Sequence, residues 1–140
     1  MNCFFKISFK MYFIFLCSFV STFSLEKTLI EIKIEDKIFQ ATLLDNQTSK
    51  AFIKKLPLTI TMEDFNQNEK FHRFSEKFPV NPTKMENIKT GDIVFYETNF
   101  FVIFYEDFKT QYVYTPIGTI NNISGLKEVL KKSKVTVELK

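Results

Sequence analysis

Apolar and charged residues alternate in TLIEIKIED, where Leu29, Ile30, Ile32 and Ile34 are separated mostly by Glu and Lys. Successive side chains on a strand point to opposite faces, so this pattern predicts a half-buried strand. Asp36-Lys37 makes a tight turn, and IFQATLL returns as the second strand. The period then changes. In DNQTSKAFIKKLP, Ala51, Phe52 and Leu56 share one helical face, and Lys50, Lys54 and Lys55 lie outside it. Thr48 is the expected N-cap, and Pro57 stops the helix.

Period two returns in LTITMEDF, with Leu58, Ile60 and Met62 on one face and Thr59, Thr61 and Glu63 on the other. Asn66-Gln67-Asn68 turns the chain into a short strand, EKFHRF. Residues 75–90 contain Pro79, Pro82 and several polar side chains, which predicts an irregular surface loop. Gly91-Asp92 opens IVFYE, Thr98-Asn99 turns it, and FFVIFY returns. Both strands are apolar at nearly every position, so both faces are expected to be covered. YVYTPIGTI is a further strand, bent near Pro116 and Gly118. Ser124 is the expected cap of a short helix, GLKEVLKK, and KVTVELK closes the chain as an alternating strand. The fold class this predicts is mainly β, with one helix early and one late. Its strands number eight, which favours a closed eight-stranded antiparallel barrel without exposed edges. The two helices would cap its ends.

At 140 residues the chain is one domain's worth. Aromatics reach 16%, with 18 Phe and no Trp. Most of the Phe residues are expected to fill the barrel. The net charge is +3, Lys and acids are interspersed, and Arg73 is the sole arginine. A nucleic-acid partner is therefore not expected, because base and phosphate recognition favours clustered Arg and Lys.

Residues 1–24 differ from the rest. Lys6 and Lys10 are their only charges, MYFIFLCSFV is broken only by Ser18, and Ser21, Thr22 and Ser24 follow. A positive start, a short apolar run and a small-residue exit form the pattern of a signal peptide, cut near Leu25. The expected location is periplasmic or secreted, with residues 25–140 as the mature domain. The competing reading is an uncleaved anchor, which would give a membrane association; a full span needs about 20 apolar residues. Cys3 and Cys17 both lie in this segment, so a cleaved chain has no disulfide or thiol chemistry. Loss of the two lysines lowers the net charge from +3 to +1.

DNQTSKAFIKKLPLTITMEDFNQNEKF, GDIVFYETNFFVIFY and FKTQYVYTPIGTINNISGL, with their flanking strands, resemble the bacterial cyclophilin-like fold family. The resemblance runs from Leu29 to Leu139. It implies an eight-stranded barrel capped by two helices and carries no established activity. True cyclophilins are prolyl isomerases whose groove holds an Arg, a Trp and a His on a strand reading HVVFG. Here the similar strand reads YTPIG, and Tyr114 stands where that His would be. The chain has no Trp, and LTITMEDF carries no Arg. The resemblance thus implies the outline of the enzyme without its main electrostatic catalyst, and Lys lacks the planar fork of Arg.

The favoured function is a non-catalytic module binding a peptide or small ligand through an aromatic groove at Met62, Phe104, Tyr112 and Tyr114. Tyr112 and Tyr114 share a strand face and are expected to point outward, where tyrosine offers area and a polar tip. Covering the sheet beneath a loop is the plainer role for them. The alternative function is a weak peptidyl-prolyl isomerase acting on exported proteins. His72 has no partner for a triad or metal site and reads as a surface residue. Asn46 and Asp92 read as turn chemistry. Glu63 and Asp64 face opposite sides and form no acid–base couple. No cofactor or metal is expected, because no phosphate loop, HExxH, CxxC or GxSxG is present.

Overall fold

In the computed structural model, which describes Ser18 and residues 27–140, the first alternating segment forms β1 (Thr28–Ile34) and pairs with β2 (Lys37–Leu43). The expected targeting segment lies outside the described residues apart from Ser18. Helix α1 (Gln47–Ile53) follows. Its N-cap is Asn46, not Thr48: the Asn46 side-chain oxygen accepts the Ser49 N–H at 2.8 Å. The Asn46 amide also donates to the Pro116 carbonyl at 2.9 Å, so one side chain caps the helix and ties it to the sheet. Thr48 instead donates its hydroxyl to the Pro79 carbonyl.

β3 (Leu58–Phe65) and β4 (Glu69–Arg73) form a hairpin, as do β7 (Asp92–Tyr96) and β8 (Phe100–Phe104). Between the hairpins lie β5 (Thr83–Lys84) and β6 (Asn87–Ile88), each two residues long. After β8 come β9 (Phe108–Lys109), β10 (Val113–Ile120), α2 (Leu126–Leu130) and β11 (Lys134–Leu139). Gly125, at φ 81°, precedes α2 with no side-chain cap, so the expected capping by Ser124 does not occur.

The barrel order is β1-β11-β3-β4-β8-β7-β10-β2, and β2 returns to β1. All these pairings are antiparallel. The fold is thus a closed eight-stranded barrel with two helices. Closure occurs where β10 reaches β2, with Gly118 opposite Leu43. A Cβ on Gly118 would sit 2.5 Å from the Thr42 carbonyl oxygen. The register between β10 and β7 shifts between Pro116 and Gly118, which accounts for the bend read from those residues.

Ile32, Ile34, Leu43, Met62, Ile93, Phe101, Ile103 and Val137 fill the interior. Phe52 of α1 stacks on Phe101 at 4.8 Å between ring centroids, and Leu126 and Leu130 of α2 join the same core. A second apolar cluster lies outside the barrel wall: Val94, Val102, Phe104 and Tyr114 under Ile88. This explains why β7 and β8 are apolar on both faces. Residues 75–90 are therefore not simply a surface loop. Phe78 enters the core against Phe74 and Phe95, and Ile88 covers the outer cluster. Isolated apolar residues in a polar run, with no period, gave no local sign of this.

Candidate functional site

The loop joining β3 to β4 holds Asn66 and Gln67 at φ 53° and 55°, a conformation Asn tolerates better than most residues. Asp64 secures it by accepting the Gln67 N–H at 3.0 Å. The same carboxylate accepts Lys70 Nζ at 2.7 Å and the Tyr105 hydroxyl at 2.5 Å. Burial alone would raise its pKa, but these three donors outweigh burial and hold the carboxyl below the ordinary carboxylate range. They hold the Asp64 charge in place, and with it the buried Lys70 ammonium. Tyr105 responds oppositely: burial and Asp64 together keep its phenol protonated.

Residues flanking this anchored loop face outward. On β3, Thr59, Thr61, Glu63 and Phe65 take the solvent side, and Phe65 is 53% exposed. Opposite Phe65 in register is Glu69, itself opposite Phe104. Phe65 and Glu69, with Tyr96, Phe108, Tyr112 and Tyr114, wall a cleft of about 740 Å³. A shallower recess of about 240 Å³ continues from it and shares Phe65, Glu69 and Tyr96, adding Phe71, Phe100 and Val102. The rings form a connected set: Tyr96 lies 5.7 Å from Tyr114 and 6.3 Å from Tyr112, and Phe104 lies 5.5 Å from Phe108.

Glu69 is the anionic member. Burial first, and the neighbouring Asp64 charge second, push its carboxyl up from an ordinary 4.5 to about 7. Among the described residues, no hydrogen bond or cation opposes these effects. Tyr114 is pushed up to about 12, by burial first and then by Glu69, so its hydroxyl stays protonated. Asn68, on the same wall, has a buried side-chain oxygen that accepts no hydrogen bond.

The four residues named from the sequence separate. Tyr112 and Tyr114 both line the cleft, but differently: Tyr112 is 65% exposed, whereas Tyr114 is packed under the outer cluster at 5%. Tyr114 is thus not an exposed groove residue; only part of it meets the cleft. Phe104 is fully buried behind the wall and supports Tyr114 at 5.4 Å. Met62 points into the barrel, on the face of β3 opposite Phe65, and does not reach the cleft. The sequence reading missed Glu69, Phe65, Tyr96 and Phe108. Phe65 had a signal: it is an aromatic on the polar face of an alternating strand.

His72 donates through Nδ1–H to the Thr61 carbonyl at 2.9 Å and lies edge-on to Phe74. Asp92 accepts the Lys89 N–H at 2.8 Å within its turn. Glu63 pairs with Lys134 at 3.4 Å, while Asp64 pairs with Lys70 on the other side of β3. The Arg73 guanidinium lies 5.7 Å from the Phe100 ring centroid, beside the shallower recess. Among the described residues, no group of His, Cys, Asp and Glu is arranged to hold a metal ion.

The profile described as the cyclophilin-like family matches residues 32–140. Among solved structures, the fold is similar to a hypothetical protein from Archaeoglobus fulgidus determined in solution. The TM-score is 0.59 at 16% identity, over 85% of this chain and 98% of that one. No curated protein matches the sequence.

Proposed function

The chain belongs to the cyclophilin-like family, and from that premise we propose that it is an exported binding module whose outer aromatic cleft holds a peptide or small ligand. The observation that carries this reading is the exposure of Phe65 and Tyr112 on either side of a cleft also walled by Tyr96 and Phe108. Aromatic rings left in water beside a preformed concavity are large contact surfaces with little rotamer freedom to lose. Titrating a short peptide with a central Tyr-Pro into ¹⁵N-labelled full-length protein tests it. Shifts confined to the cleft, abolished by Tyr112→Ala, are expected. Shifts elsewhere, or none, overturn the reading. Export rests on residues 1–24, and the intact mass of the protein recovered outside the cytoplasm checks cleavage near Leu25.

A second reading, weak prolyl isomerisation, draws support from Arg73, a guanidinium held over Phe100 at the end of the recess. A donor there would stabilise a twisted amide by preorganised electrostatics. A proline-isomerisation assay on wild type and Arg73→Ala separates the two. Turnover lost in Arg73→Ala favours the enzyme; absence of turnover with peptide binding intact favours the module.

A further inference from the structure

The cleft has a chemical bias that goes beyond its aromatic walls. Glu69 occupies the junction of the deep cleft and the shallow recess, between Phe65, Tyr96 and Phe71. Lys70, its neighbour in sequence, points the other way and is committed to Asp64. Lys109, the cation on the cleft wall among the described residues, is exposed. Ring faces and a carboxylate that has no ion pair among the described residues both favour a positively charged group with N–H donors.

Resting on the binding reading above, we infer that the cleft recognises a basic side chain, the ammonium of lysine or the guanidinium of arginine, presented by a peptide. Charge complementarity identifies the occupant. A half-buried carboxylate without a partner is costly, and a cation entering the cleft removes that cost. The aromatic walls contribute cation–π attraction and cover the aliphatic stem. The volume of about 740 Å³ exceeds that of one side chain, leaving room for adjoining backbone. Other groups around Glu69 are settled: Asp64 on β3 is paired to Lys70, and burial keeps the phenols of Tyr105, just after β8, and Tyr114 on β10 protonated. Glu69 is thus the group whose ionisation gates the site.

Calorimetry and ¹⁵N NMR on the full-length protein test this with three probes: an N-acetylated, amidated Ala-Lys-Ala peptide, its norleucine analogue, and butylamine. The lysine peptide is expected to bind at pH 8 about tenfold tighter than the norleucine peptide, the scale of a desolvated cation–π and charge-assisted contact. Its affinity falls by a similar factor at pH 6 and in Glu69→Gln. Equal binding of lysine and norleucine peptides, unchanged in Glu69→Gln, overturns the cationic preference and leaves the aromatic cleft standing. Failure of every probe to perturb the cleft overturns both. Butylamine binding as tightly as the lysine peptide makes the occupant a free amine and overturns the peptide source.

Discussion

Glu69 and Asp64 are carboxylates on paired strands, and their surroundings push them in opposite directions. Glu69 is raised to about 7 by burial and by Asp64, so the folded state holds a proton that the unfolded chain releases near 4.5. Between those values the folded state binds more protons, so Glu69 makes stability fall as pH rises. The penalty is complete above about 7. Glu69→Gln is therefore expected to stabilise the protein by about 1 kcal/mol at pH 8, a screened figure for a partly exposed group, and to change little near pH 4.5. Urea midpoints across that range check the sign. Asp64 behaves conversely: its lowered carboxyl contributes stability above the unfolded value of 3.8, and that contribution is lost as pH falls through the folded one. Asp64→Ala leaves Lys70 buried without its counter-ion and should cost about 3 kcal/mol at neutral pH, read from the same unfolding curves.

At the scale of elements, β10 does two jobs, and its two ends predict different phenotypes. Gly118 brings β10 against β2 so closely that a methyl group meets backbone oxygen. Gly118→Ala should cost about 2–3 kcal/mol through strain at barrel closure, seen as a lower denaturant midpoint. At the other end, Tyr114→Ala empties a site packed between Phe104 and Tyr96 and should cost about 3 kcal/mol. Tyr112→Ala should change stability by less than about 0.5 kcal/mol while removing ligand-induced shifts, because Tyr112 is largely in water. These assignments show how far local pattern reaches. Alternation put Tyr112 and Tyr114 on one strand face; both line the cleft, but Tyr112 precedes β10. The pattern could not separate the exposed one from the covered one, because the cover comes from Ile88, distant in sequence. Likewise Thr48 was a fair helix cap by type, but Asn46 reaches both the first turn of α1 and Pro116, a contact across 70 residues.

At the scale of the molecule, alternating segments, the two strands apolar on both faces and two segments of period 3.6 determined a mainly β barrel with helical caps, since each has apolar residues to bury. Gly118 and Pro116 marked the bent strand for the same local reason. The sequence also carried the family likeness, which the matching profile over residues 32–140 establishes. The cleft was decided by tertiary structure. Met62 belongs to the interior, while Phe65, Tyr96, Phe108 and Tyr112 meet only because β3, β7, β9 and the segment leading into β10 converge on one outer wall. Strand order around the barrel sets that convergence, and no single segment contains it. The acidity of Glu69 has the same origin: a glutamate's charge is written in the chain, but the water removed from around it depends on rings brought from other strands.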